Sequence, residues 1–235
     1  MTEITADLVL KAYAYGVFPM AKSRADGDIF WVQPKLRGVI PLDAFHVPKS
    51  LRKTLRRGQF TVTVDRDFQG VLEGCAEAGE GRPDTWINDR IVSLFTELHS
   101  AGLAHSLETW ADGKLVGGLY GLAMGGAFFG ESMFCRTTDA SKVALCHLVG
   151  IMKRGDFTLL DTQFITEHLM RFGAVEITQK DYLAQLGASL TREGRFGPPL
   201  DQRALEEALF SQRNTQIATY LASVTNDKYF SRRCC

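Results

Sequence analysis

The chain has 235 residues, of which 45% are hydrophobic and 23% charged, and its basic and acidic side chains balance to a formal net charge of zero. This composition excludes an intrinsically disordered chain, and the length suits one sizeable core or a small domain docked on a larger one. It also excludes attraction to nucleic acid through overall charge, so such a partner would need a local basic patch.

The first residues, Met1-Thr2-Glu3-Ile4, have neither the basic region nor the apolar core of a secretory signal. The longest apolar stretch, Leu115 to Gly130, is rich in glycine and shorter than the ~20 residues a membrane span requires. We expect a cytoplasmic protein without a membrane partner. The five cysteines, Cys75, Cys135, Cys146, Cys234 and Cys235, form no CxxC pair and have no histidine at metal-ligand spacing, so neither a disulfide framework nor a metal site is expected.

Leu8 to Tyr15 has helical spacing and is stopped by Gly16-Val17-Phe18-Pro19. Phe30-Trp31, Pro34 and Arg37-Gly38 read as an extended linker that either presents aromatic faces or seals a small N-terminal subdomain onto the rest. Ser50 is the expected N-cap of a helix to Arg57, whose Arg52, Lys53, Arg56 and Arg57 form a basic stripe. Such a stripe serves either as a solvated face or as a set of phosphate contacts.

Phe60 to Val64 alternates like a strand, Phe68 to Glu77 has the spacing of a short helix, and Asn88 to Ala101 reads as an amphipathic helix closed by Gly102. His105–Trp110, Lys114–Met124 and Ala127–Phe134 form a predicted three-strand meander turned by Asp112-Gly113 and Gly125-Gly126. A helix from about Asp139 to Lys153 follows, then a buried strand Phe157–Asp161, helical turns over Glu167–Phe172, and Lys180–Leu186. Leu200, Ala204, Leu205, Ala208 and Leu209 repeat at helical spacing in the tail, as a partner-binding helix or one packed on its own domain.

This order predicts an α+β, acyltransferase (GNAT-like) fold built on a splayed sheet. The expected parts are a small N-terminal subdomain over 1–38, a transferase domain over 39–190 and a helical or partly disordered tail over 191–235. Coenzyme A enzymes of that fold place an R/Q-x-x-G-x-G/A loop at a helix N-terminus, where bare amides hold the pyrophosphate. Here the segment reads Arg136-Thr137-Thr138-Asp139-Ala140-Ser141, with a carboxylate where the first glycine belongs. The donor is therefore expected to be something other than coenzyme A.

The blocks Ala12-Tyr13, Gly16-Val17-Phe18-Pro19, Thr85-Trp86-Ile87, Gly117-Gly118-Leu119-Tyr120-Gly121, Gly130-Glu131-Ser132-Met133-Phe134, Asp139-Ala140-Ser141-Lys142 and Leu160-Asp161-Thr162-Gln163 run in order over about residues 8 to 187. In these the chain resembles the leucyl/phenylalanyl-tRNA-protein transferases, departing from their pattern at Met20, Val32, Leu36 and Thr166. The resemblance implies an acyltransferase of the N-degron pathway that uses no cofactor. Its donor would be aminoacyl-tRNA carrying leucine or phenylalanine, and its acceptor the N-terminal amine of a protein beginning with Arg or Lys.

The resemblance also implies roles for individual residues. Asp161 and Gln163 would be catalytic, beside the reacting ester and the incoming amine. Leu119, Phe128 and Met133 would line the pocket for the donor's side chain, with Glu131 at its edge and Thr166 close by. Trp86 and Trp31 would meet the end of the tRNA, and Arg52, Lys53, Arg56 and Arg57 the acceptor-stem phosphates.

Two proton routes are open: Gln163 accepts a hydrogen bond from the amine while Asp161 fixes Gln163, or Asp161 takes the proton itself. A Glu131 carboxylate in an apolar strand requires a partner. Simple alternation puts Glu131 and Met133 on the face opposite Phe128, so a bulge is needed if Phe128 and Met133 share a pocket.

Overall fold

The computed structural model describes residues 4–77 and 84–211, so Cys234 and Cys235 and most of the expected tail lie outside the described residues. The architecture is mixed α+β. A seven-stranded sheet carries hydrophobic clusters on both faces, and a separate two-stranded ribbon stands beside it.

Helix α1 (Ala6–Ala14) starts at Thr5, whose hydroxyl accepts the Leu8 amide, and buries Val9 and Tyr13. The chain turns at Gly16 into β1 (Phe18–Met20), which pairs with β2 (Phe30–Val32), so Trp31 lies opposite Pro19. The expected linker is thus a hairpin, followed by an unforeseen strand, β3 (Leu36–Ile40), which spans residue 38 and lies inside the main sheet.

Helix α2 (Lys49–Arg57) begins after Pro48, and Ser50 lies within the helix instead of capping it, contrary to expectation. Proline presets the entry dihedral, and its carbonyl accepts the Arg52 amide at 3.0 Å, which moves the start forward. Strand β4 (Thr61–Val64) and helices α3 (Phe68–Ala76) and α4 (Asp89–Ser100) follow, the helices capped by the side chains of Asp67 and Asn88.

The meander is present as β5 (Ala104–Ala111), β6 (Lys114–Met124) and β7 (Ala127–Cys135). Helix α5 (Ala140–Arg154) then crosses over to β8 (Leu159–Gln163), which starts two residues later than predicted because the Thr158 amide is tied to the Gly126 carbonyl. Helix α6 (Glu167–Met170), an unpredicted edge strand β9 (Val175–Thr178) and α7 (Gln179–Leu190) follow. A last helix, α8, covers residues 202–211 and buries Leu205 and Leu209 in the cluster beneath α5.

The sheet order is β4-β5-β6-β7-β8-β3-β9. Among the described residues only β7 and β8 pair in parallel, through Ala127–Phe129 and Leu159–Asp161, as a strand-helix-strand crossover permits. Two irregularities flank this pair. In β7 the register with β6 slips so that Glu131 is the extra residue between Gly130 and Ser132; in β8 the register with β3 slips so that Thr162 is extra. Bulges bend a strand and re-aim its side chains. Among the described residues no helix is long and apolar enough to cross a membrane, and no group of three His, Cys, Asp or Glu residues is placed to hold a metal ion.

Candidate active site

Beyond Phe129 and Asp161 the β7–β8 ladder ends, and the residues that follow on both strands line a cavity of about 300 Å³. Its walls are largely apolar, with Leu119, Met133, Leu145, Leu148, Leu160 and Leu169 among them. Glu131, Gln163 and Thr166 supply polar groups, and Trp86 and the half-exposed Phe164 also face it. An apolar recess with a few convergent polar groups is the usual form of a small-ligand site.

Glu131 is 93% shielded from solvent: it retains only 7% exposure. Its Oε1 accepts from the Tyr13 hydroxyl at 2.7 Å and from the Gln163 side-chain amide at 2.9 Å, while its Oε2 is buried without a hydrogen-bond partner. Burial pushes the carboxyl up to about 7, against the opposing effect of the bonds from Tyr13 and Gln163. This carboxylate can therefore change protonation near neutral pH.

Asp161 sits in the opposite condition. Arg37 Nε reaches its two oxygens at 2.9 and 3.1 Å and the terminal guanidinium nitrogen binds Oδ2 at 2.6 Å. The Tyr182 hydroxyl adds a bond to Oδ2 at 2.7 Å, and the Gln163 backbone N–H donates to Oδ1 at 2.7 Å. Arg37 is itself fixed, because it donates to the Gly16 carbonyl at 3.1 Å and lies 4.5 and 4.6 Å from the Phe18 and Tyr182 ring centres. With Arg37 and Asp161 at 1% and 0% exposure, this is a buried ion pair whose donors and acceptors are satisfied.

Gln163 joins the two carboxylates and has φ of +62°, in the left-handed region. Such a backbone costs ~1–3 kcal/mol for a non-glycine residue unless its surroundings hold it. Here the Asp161 carboxylate captures the Gln163 amide while Glu131 captures its side chain. Gly38, the cross-strand partner of Gln163, allows β3 to approach: a Cβ there would lie 2.8 Å from the Phe164 carbonyl carbon and the Thr162 hydroxyl.

The bulge at Glu131 resolves the conflict over faces. Phe129 and Phe134 belong to one cluster, whereas Phe128, Leu119 and Met133 belong with the other. Leu119 and Met133 reach the cavity; Phe128 does not line it and instead stacks on Phe196 with ring centres 5.4 Å apart. Thr166 caps α6 through its hydroxyl and lines the cavity. Trp86 lies next to the β1–β2 hairpin, the Ala21 amide donating to its carbonyl at 3.3 Å, while Trp31 on that hairpin is 38% exposed and does not line the cavity.

The basic stripe lies on a different helix surface. Lys53 and Arg57 are exposed and have no ion pair among the described residues. Arg52 packs over Phe210 and Arg56 lies 3.9 Å from Glu206, both on α8.

Asp139 occupies the N-cap position of α5 with φ of +71°. Partial burial alone would raise its carboxyl, but bonds from Lys142 and Thr54 hold it below the usual range. The Ala140 amide is already given to the Thr137 carbonyl at 3.0 Å. This helix start therefore offers a carboxylate and an occupied amide where a diphosphate would need bare donors.

His99 and His105, given no role from sequence, bond the Ala104 carbonyl and the Asp65 carboxylate. Sequence reading missed Tyr13, Arg37 and Tyr182 as site residues. Nothing local marks Arg37 as buried; the signal available was a buried aspartate, Asp161, that requires a cation.

A family model described as leucyl/phenylalanyl-tRNA protein transferase matches residues 39–187, and one for that protein's N-terminal domain matches residues 2–35. The leucyl/phenylalanyl-tRNA-protein transferase of Paramagnetospirillum magneticum is 58% identical over 196 residues, covering 83% of this chain and 94% of that protein. Those of Rhodospirillum rubrum and Rhodopseudomonas palustris are 57% and 54% identical, covering 83% and 86% of this chain and 92% and 90% of theirs. Among solved structures, L-PGS from Bacillus licheniformis overlaps 68% of this chain and 53% of that one at 15% identity, with a TM-score of 0.35, too low to bear on the fold. By family model and relatives alike, this chain belongs to the leucyl/phenylalanyl-tRNA-protein transferase family.

Proposed function

We propose that this chain transfers leucine or phenylalanine from its tRNA ester to the N-terminal amine of proteins that begin with Arg or Lys. The observation that carries this reading is the placement of Gln163 between Glu131 and Asp161 on the wall of a leucine-rich recess. The donor side chain enters the recess against Leu119 and Met133, with Phe128 supporting that wall from behind. Trp86 and Trp31 face the terminal adenosine, and α2 faces the acceptor stem. Residues 1–38 supply the clamp on the two carboxylates, 39–190 form the transferase body, and 191–235 are accessory.

An aminoacyl ester is already activated, and an α-amine with a pKa of ~7.7–8.0 is partly neutral at pH 7. Orientation can supply ~7–11 kcal/mol through effective molarity, so positioning is the main task. The amine nitrogen attacks the ester carbonyl carbon, a C–N bond forms, and the bond to the ribose oxygen breaks. One proton leaves the amine and one is returned to that oxygen. Asp161 is fully occupied by Arg37, Tyr182 and the Gln163 amide, which favours the route in which it fixes Gln163 and takes no proton. Glu131, with a free oxygen and a carboxyl near 7, is suited to carry the proton from amine to ribose.

The splay between β7 and β8 at the cavity supports the GNAT-like reading of the fold. The same fold used with coenzyme A gains no support from the Asp139 helix start. The test is direct: purified chain, labelled leucyl-tRNA and a peptide beginning with Arg yield labelled peptide if the reading holds, and unlabelled peptide in repeated assays removes it.

A further inference from the structure

Past residue 187, where the family match ends, the chain crosses the turn between β6 and β7 and then the loop between α5 and β8. The Gly126 amide donates to the Ser189 carbonyl at 2.7 Å, and the Arg195 amide donates to the Gly155 carbonyl at 2.8 Å. The crossing is close: a Cβ at Gly155 would collide with the Arg195 carbonyl, and one at Gly194 with the Gly125 carbonyl. This strap delivers Phe196 to the sheet.

The Phe196 ring stacks on His105, with centres 4.2 Å and planes 10° apart, and on Phe128 at 5.4 Å and 17°. Phe157 meets it edge-on at 6.2 Å. His105 is opposite Gly121 in the β5–β6 ladder, so the two share a face, and its Nδ1 is held by Asp65 at 2.7 Å. The Phe128 ring fills the space above Gly121, where a Cβ would lie 2.5 and 2.7 Å from two of its carbons. Phe128 is fully buried, and its ladder partner on β8 is Leu160, which lines the recess.

Protein interiors are close-packed, so a buried ring moves only where space is left for it. Here β6 and Phe196 together leave Phe128 none. We infer that Phe196 is a positioning residue for donor choice: by holding Phe128 against β6 it fixes the depth of the recess, and with it the balance between leucyl and phenylalanyl donors. Without that ring Phe128 relaxes into the vacated space, Leu160 follows, and the recess deepens in favour of the longer aromatic side chain. The inference rests on the leucine-or-phenylalanine reading of the donor and gives the strap after α7 a part in selectivity.

The test uses the full chain and two probes without a tRNA stem, the hydrolysis-resistant amides of leucyl- and phenylalanyl-adenosine, with each Kd measured by calorimetry. Phe196→Ala is expected to shift the ratio of the two Kd values about tenfold toward the phenylalanyl compound, the lower range for size discrimination in an apolar pocket. Transfer from the two tRNA esters to a peptide beginning with Arg should show the same shift in KM. Its kcat should be unchanged, because Glu131 and Asp161 are held by Tyr13, Gln163, Arg37 and Tyr182. Phe196→Leu should give a smaller shift of the same sign, and Phe196→Tyr, which keeps the ring, the parent ratio.

A residue that only stabilises the fold would weaken both probes together, so an equal loss for both, or an unmoved ratio, overturns the inference. A shift in Phe196→Tyr as large as in Phe196→Ala overturns it as well. If thermal unfolding shows that the alanine variant does not fold, the leucine variant decides alone. A shifted Kd ratio without transfer to peptide sinks the functional reading and leaves the part of Phe196 standing, whereas binding of neither probe by the parent chain sinks both.

Discussion

Two carboxylates flank Gln163, and their surroundings are opposites. Asp161 is filled on every side by donors, including a guanidinium, whereas Glu131 has one oxygen bonded twice and the other bare. Both are buried, so burial alone does not decide what a carboxylate can do; the number of donors around it does. One is suited to hold a strained backbone, the other to exchange a proton, and Gln163 is the part they share.

The largest effect expected from disturbing this contrast is on the filled side. Arg37→Met leaves the Asp161 carboxylate buried without its cation, a loss of ~3–5 kcal/mol read by chemical denaturation. The double variant with Asp161→Asn should recover most of that stability without recovering transfer. If the single variant is as stable as the parent, the clamp has no structural weight.

On the open side, Glu131→Gln is expected to lower kcat at pH 7 by about a hundredfold, the lower range for a positioned acid-base group. It should also abolish the rise of activity with pH through about 7 that an unprotonated Glu131 confers. A retained limb in the pH-rate profile would assign the proton to another group.

Stability carries the same signature with a defined sign. Folding raises the Glu131 carboxyl from its ordinary value of 4.5 to about 7, so the folded chain binds more protons in that window. Its contribution is favourable below 4.5 and is lost as pH rises through 7, by a total of about 3 kcal/mol. Denaturation of parent and Glu131→Gln at pH 5 and pH 8 should show the difference between the two pH values shrinking in the variant.

The smallest effects come from the two tyrosines, and they sharpen the contrast most. Tyr182→Phe removes a bond to Asp161 and should cost ~1.5–3 kcal/mol of stability with the pH-rate midpoint unmoved. Tyr13→Phe removes a donor that lowers the Glu131 carboxyl, so its midpoint should move to higher pH. Identical midpoints in the two variants would show that the carboxylates do not divide the work.

The elements with a local signature were legible in sequence. Alternation and glycine turns mark β5, β6 and β7 to within a residue or so, and helical spacing marks α3 and α4, the latter closed by Gly102. β3 and β9 were not legible, because Arg37 and Gly38 break the apolar pattern and Val175-Glu176 is exposed at a sheet edge.

In the site, Asp161, Gln163, Glu131 and Met133 were named from family blocks, and the need for a partner at Glu131 followed from solvation. Tyr13 and Arg37 were invisible as partners, since only tertiary contact joins them to residues in the second half of the chain. The bulge at Glu131 was hinted at by a clash of faces between Phe128 and Met133, but a one-residue slip leaves no mark in the residues themselves.

The insertion of β3 between β8 and β9 has a consequence for biosynthesis. Arg37 leaves the ribosome early, yet its ion-pair partner Asp161 and its sheet neighbour Ile177 come from the far part of the chain. Pairings this distant in sequence are slow to form, because the loop must close before any contact repays it. A nascent chain thus carries an unmatched guanidinium until β8 and β9 emerge. The centre cannot form before those strands are made, and products terminated ahead of them lack it altogether.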